Sequence, residues 1–82
     1  MPTINDALLA RTMERLLAHL RERCDVQNIE LMELAGFCRN CLSLWLHQAS
    51  DESATPLSKE QAREFVYGVP YEQWKLQHQR PN

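Results

Sequence analysis

The sequence predicts an all-α protein: a small four-helix irregular or orthogonal array, two longer helices followed by two short C-terminal ones. Three observations carry that prediction. Leucine dominates over valine and isoleucine, and the 82-residue chain holds only two glycines, a balance that favours helix over strand. Apolar residues recur every three or four positions through residues 5–23 and again through 28–49, which is the period of an amphipathic helix. The remaining punctuation, Pro56, Gly68 and Pro70, falls where helices should stop and restart.

The first helix should run from about Asn5 to Arg23. At 100° per residue, Leu9, Met13, Leu16, Leu17, Leu20 and Cys24 share one arc, with Arg11, Glu14, Arg15 and Glu22 opposite. Asn5 or Thr3 suits the N-cap, and Asp6 the positive end of the helix dipole. Residues 24–27 form a short connection, of the length that joins antiparallel or crossed neighbours.

The second helix should span Asn28 to Ala49, capped by Asn28 and with Glu30 and Glu33 in its first turns. Leu31, Leu34, Ala35, Cys38, Cys41, Leu42, Trp45 and Ala49 form one stripe that keeps its phase across Gly36. That continuity predicts one helix, central to the fold. Gly36 costs it about 1 kcal/mol relative to alanine and is expected to admit a neighbouring backbone. Phe37, Leu44 and Leu46 lie outside the stripe, so the helix is apolar on more than one face.

Residues 49–57 then read as a mobile polar linker. Ser58 with Gln61 is a capping-box pattern. It opens a helix from Lys59 to Tyr67 with Ala62, Phe65 and Val66 inward, closed by Gly68. The last helix should run from Pro70 to about Gln79, with Tyr71 and Trp74 on one face.

The length fits one helical domain, residues 1–82. A chain this small buries roughly 60–65% of its unfolded surface, so its stability margin is thin. The net charge is -2, and residues 1–23 hold four arginines against three acids. Without a basic stripe, no nucleic-acid partner is expected. There is no apolar run long enough to span a bilayer and no basic start with an apolar core, so neither membrane nor export is expected. Three cysteines are an odd number, which fits reduced thiols in the cytoplasm.

The chemistry-bearing pattern is Cys38-Arg39-Asn40-Cys41. Residues i and i+3 share a helix face, so the two sulfurs can converge. A zinc or iron ion could use Cys38 and Cys41, with His19 as a further metal ligand; structural zinc takes four ligands, and Cys24, His47 and His78 are the other candidates. A redox dithiol is expected at a helix N-terminus. A single helix through Gly36 instead puts Cys38 about ten residues in, where the dipole has faded. The plainest reading makes both cysteines small buried core residues. Arg39 is expected to pair with Glu64 or Asp25 at the surface, worth about 0–1 kcal/mol. No catalytic residue is assigned, because no Ser-His-Asp order, H-E-x-x-H or Gly-rich phosphate loop occurs.

Residues 25–45, DVQNIELMELAGFCRNCLSLW, resemble the signature of a short bacterial family catalogued as domain of unknown function 1244. Ala62-Arg63-Glu64, the run Val66 to Tyr71, and Trp74-Lys75 resemble its C-terminal signature, and Ala18 to Arg21 with Arg23 its first-helix motif. The resemblance implies an all-helical bacterial domain without an established activity or any catalytic residue to transfer. Leu44 and Leu46 are more apolar than the family's residues there, which implies an extra surface.

Three functions follow, in order. The first is a non-enzymatic protein-interaction module, acting as a homodimer or on another protein, because apolar side chains exceed one stripe. The second is a metal-binding protein using Cys38, Cys41 and His19. The third is a thiol redox protein.

Overall fold

The computed structural model describes residues 2–81. The helical class holds: five α-helices and no strand occur among the described residues. They are α1 (Asp6–Glu22), α2 (Asn28–Ala35), α3 (Arg39–Ser50), α4 (Lys59–Tyr67) and α5 (Tyr71–His78). The expected count of four is corrected, because the segment 28–49 is two helices rather than one.

Gly36 makes that break. It closes α2 in the left-handed region at φ 76°, its N–H donating to the Met32 carbonyl. An L-residue in that conformation costs about 1–2 kcal/mol, so glycine belongs here. A Cβ added at Gly36 would meet nothing within 4 Å, so close backbone approach is not its role. Cys38 is fully extended at φ -141°, and α3 begins with the Leu42 N–H bonded to the Cys38 carbonyl at 3.1 Å. The shared register is therefore lost. Leu34 and Trp45, expected on one buried stripe with Cys38, are 87% and 52% exposed.

α1 is capped by Asn5, whose side-chain oxygen accepts from the Leu8 N–H at 2.9 Å. Only its C-terminal half packs. Leu17 and Leu20 join Leu42, Val66, Tyr67 and Trp74 in the core, while Leu9, Met13 and Leu16 of the same stripe stay at the surface.

The helix that touches most neighbours is α4, which packs on α3, α1 and α5. Its capping box forms as expected: the Gln61 N–H donates to Ser58 Oγ at 3.1 Å and the Ser58 N–H to Gln61 Oε1 at 2.8 Å. Ala62 and Val66 face inward, with Tyr67. Phe65 does not; it is half exposed, under the Arg21 guanidinium at 5.4 Å. That guanidinium also donates to the Phe65 carbonyl. Gly68 ends α4 at φ 81°, and a Cβ there would lie 3.1 Å from Arg21 Cδ.

The linker after α3 is tied at both ends by Ser50. Its hydroxyl donates to the His47 carbonyl at 2.7 Å and accepts from the Leu57 N–H at 2.9 Å. α5 has one buried residue, Trp74. Its far end is held by Gln27, whose amide donates to the His78 carbonyl and accepts from the Arg80 N–H, each at 2.9 Å. Gln27, not Asn28, is thus the residue before α2, and Glu30 accepts its N–H at 2.9 Å.

Candidate functional site

The break at Gly36 moves the cysteine pair from mid-helix to a helix start. Cys38 is the N-cap of α3 and Cys41 lies in its first turn, where backbone N–H groups lack intrahelical partners and the dipole is positive. The two sulfurs are 3.8 Å apart. Cys38 is 8% exposed, and Cys41 is half-buried, with its sulfur 3.8 Å from Met32 Sδ.

The two residues between them are anchors. Arg39 is 1% exposed rather than at the surface. Nη1 donates to the Val26 carbonyl at 2.8 Å and Asn28 Oδ1 at 3.0 Å; Nη2 donates to the Arg23 carbonyl at 2.7 Å and the Leu20 carbonyl at 3.4 Å. Leu20 and Arg23 mark the open C-terminal end of α1, so a buried cation caps the negative end of that dipole. The guanidinium also lies 5.0 Å from the centre of the Trp74 ring. Burial pushes its pKa below the ordinary arginine value, yet an arginine keeps its charge in proteins. The expected pairing with Glu64 or Asp25 is replaced by uncharged oxygens.

Asn40 holds the other side. Its carbonyl oxygen accepts from the Tyr67 hydroxyl at 2.7 Å, and its amide donates to the Tyr71 hydroxyl at 3.3 Å. Asn28 donates to the Tyr67 hydroxyl at 3.0 Å. Burial pushes the Tyr67 phenol well above its ordinary value. A raised folded-state pKa means stability present below about pH 10 and lost as pH climbs beyond it. In a 295 nm titration, the native protein should therefore ionise less tyrosine at pH 11 than protein in guanidinium. Equal amplitudes would place Tyr67 in contact with water.

Cys41 opens onto a groove of about 280 Å³ between α3 and α4, with Asn40, Ser43, Leu44, Lys59 and Arg63. Neither Lys59 nor Arg63 belongs to an ion pair among the described residues; Arg63 rests 5.2 Å from the Tyr71 ring centre. A larger cleft of about 410 Å³ along α4 and the start of α5 carries Glu60, Glu64 and Glu72 but no thiol.

Of the expected metal set, the fold brings Cys38 and Cys41 together but not His19, which stands exposed on α1. Among the described residues no three of His, Cys, Asp or Glu converge to hold a metal ion. Cys24 donates its thiol to the Arg21 carbonyl, and His47 Nδ1 lies 2.7 Å from the Leu57 carbonyl oxygen. The feature that composition could not show is the buried Arg39 cap, since main-chain oxygens leave no mark in a sequence.

Fold and site together define a small helical protein with a paired dithiol at a helix start. Residues 26–82 match the family model described as "Protein of unknown function (DUF1244)", and the chain belongs to that family. No curated protein matches it. The matched span covers α2 to α5 but not α1, although α1 supplies Leu17 and Leu20 to the core and the carbonyls that Arg39 caps. No helix among the described residues is long and apolar enough to cross a membrane.

Proposed function

We propose that the protein is a thiol–disulfide redox protein whose working pair is Cys38 and Cys41. The observation that carries this reading is the 3.8 Å separation of the two sulfurs at the first turn of α3. A disulfide needs about 2.0 Å between sulfurs, and rotation about the two Cα–Cβ bonds can supply the approach without unwinding the helix. Arg39 and Asn40 hold the turn rigid while that bond forms or breaks.

Cys41 is the attacking thiol because it faces the groove. Its deprotonated sulfur attacks one sulfur of an incoming disulfide, R–S–S–R, forming a mixed disulfide and releasing R–S⁻. Cys38 then gives up its proton and attacks Cys41 Sγ, expelling the second R–S⁻. The protein's two thiols lose two electrons and two protons; the substrate's disulfide gains both. Lys59 and Arg63 attract an anionic substrate and offset the charge of the departing thiolate.

The test equilibrates the protein with glutathione buffers from about -320 to -150 mV and counts thiols by mass spectrometry. The wild type should pass from dithiol to an intramolecular disulfide within that window. Cys38→Ser should stop at a mixed disulfide on Cys41, while Cys41→Ser should resist modification at this site. A wild type that keeps both thiols across the whole window would end the proposal.

A non-enzymatic interaction module is a second reading, supported by Leu9, Leu34 and Leu76, which are more than half exposed. A zinc or iron centre would need ligands beyond the two that come together among the described residues of one chain.

A further inference from the structure

The surface of this chain is too large for a compact monomer. It exposes 6366 Å², where a globular chain of 9.6 kDa exposes about 5,100 Å². The radius of gyration is 13.8 Å, with a long axis of 43 Å, against about 11.7 Å for a compact domain of this length. One continuous part of that exposed surface is the N-terminal half of α1. Every residue from Asp6 to Leu16 is exposed, an overhang of roughly 16 Å at 1.5 Å per residue.

That overhang carries a seam. Leu9, Met13, Leu16 and Leu20 are spaced four, three and four apart, the a/d spacing of a heptad repeat. Leu20 is buried in its own chain, but Leu9, Met13 and Leu16 are 57%, 44% and 36% exposed. The positions flanking the seam are Ala10, Thr12, Leu17 and His19, whereas Arg11, Glu14 and Arg15 occupy the outer positions. No carboxylate, lysine or arginine on those flanks opposes an identical helix. An isolated helix of this length is marginal in water and needs an apolar partner to persist.

We propose that the α1 seam docks against α1 of a second copy of this chain, in a two-fold symmetric dimer. A two-fold interface uses one patch on both subunits, and a stable one covers about 800 Å² per partner. The uncharged flanks of the seam let two identical helices approach without like-charge repulsion. The dimer leaves the groove beside Cys41 open, because that groove is formed by α3 and α4. The inference stands independently of the redox reading.

Sedimentation equilibrium of the full chain at about 10 µM tests it, at a concentration where dimers of this interface class persist. The expected mass is twice the 9.6 kDa of one chain. Leu9→Glu combined with Met13→Glu should halve that mass while the Trp74 environment, read by near-ultraviolet circular dichroism, stays as in wild type. Arg11→Glu, on the outer face, should leave the dimer intact. A monomeric wild type overturns the proposal, as does a doubly substituted chain that remains dimeric, or dissociation by Arg11→Glu.

Discussion

Arg39→Met is expected to destabilise the protein by about 3–5 kcal/mol. Methionine fills much of the same volume, so the loss is electrostatic and polar rather than a cavity. Four oxygens now accept from the guanidinium: the carbonyls of Leu20, Arg23 and Val26, and Asn28 Oδ1. Hydrogen bonds to a charged group contribute about 1.5–3 kcal/mol each, and a buried acceptor left empty costs about 1–3 kcal/mol. The sum is below four times that figure because the Leu20 contact is long, at 3.4 Å, and water can reach some of the freed carbonyls. A small domain has roughly 0.05–0.15 kcal/mol of stability per residue, or about 4–12 kcal/mol over 82 residues, so the variant should lose a large share of its stability. Arg39→Lys keeps the charge but lacks the planar fork, and should fall between the two. Urea unfolding followed by tryptophan fluorescence measures all three. A change under about 1 kcal/mol for Arg39→Met would mean that solvent already serves those carbonyls.

The same residue links stability to the thiols. Arg39 sits between Cys38 and Cys41 in sequence, and its side chain ties the start of α3 to the end of α1. The residues that orient the two sulfurs therefore also hold the first helix in place. The dithiol and the core are one structure.

What could be read from the sequence was local. Asn5 and Ser58 announce helix starts through side chains that bond three residues on, and Gly68 announces an end. Each signal is complete within one turn. Gly36 carried the same information, yet the apolar spacing on either side outweighed it, because two short helices can imitate a single period over twenty residues. A single register through Gly36 would place Cys38 in mid-helix, away from the helix start where a dithiol is favoured. Arg39 is illegible for a different reason: its partners are three main-chain oxygens and the Asn28 side-chain oxygen, all within residues 20–28, and only the assembled fold brings them to the guanidinium. The seam on α1 was visible as an amphipathic stripe, but a stripe does not say whether its own chain covers it. The core takes Leu17 and Leu20 and leaves Leu9, Met13 and Leu16 uncovered.

Trp74→Ala should cost about 3–5 kcal/mol, the range for emptying an aromatic site in a core, and its effect should spread beyond the cavity. Trp74 is 2% exposed and is the one buried residue of α5. Its ring meets Tyr67 edge-on at 5.0 Å and His78 at 5.6 Å, and the Arg39 guanidinium at 5.0 Å. An eight-residue helix does not persist unsupported in water, so losing that anchor should release α5. The bonds from Gln27 to His78 and from Arg80 to Glu30 would then open, and the covered face of Arg39 would become wet. A loss of this size lowers the melting temperature by about 4–8 °C per kcal/mol in a domain of this length. Hydrogen exchange should show residues 71–80 unprotected before the rest of the protein unfolds. Trp74→Phe keeps a ring against Arg39 and Tyr67 and should lose less than half as much. If Trp74→Ala melts within about 5 °C of wild type, with α5 still protected, something other than this indole holds the C-terminal helix down.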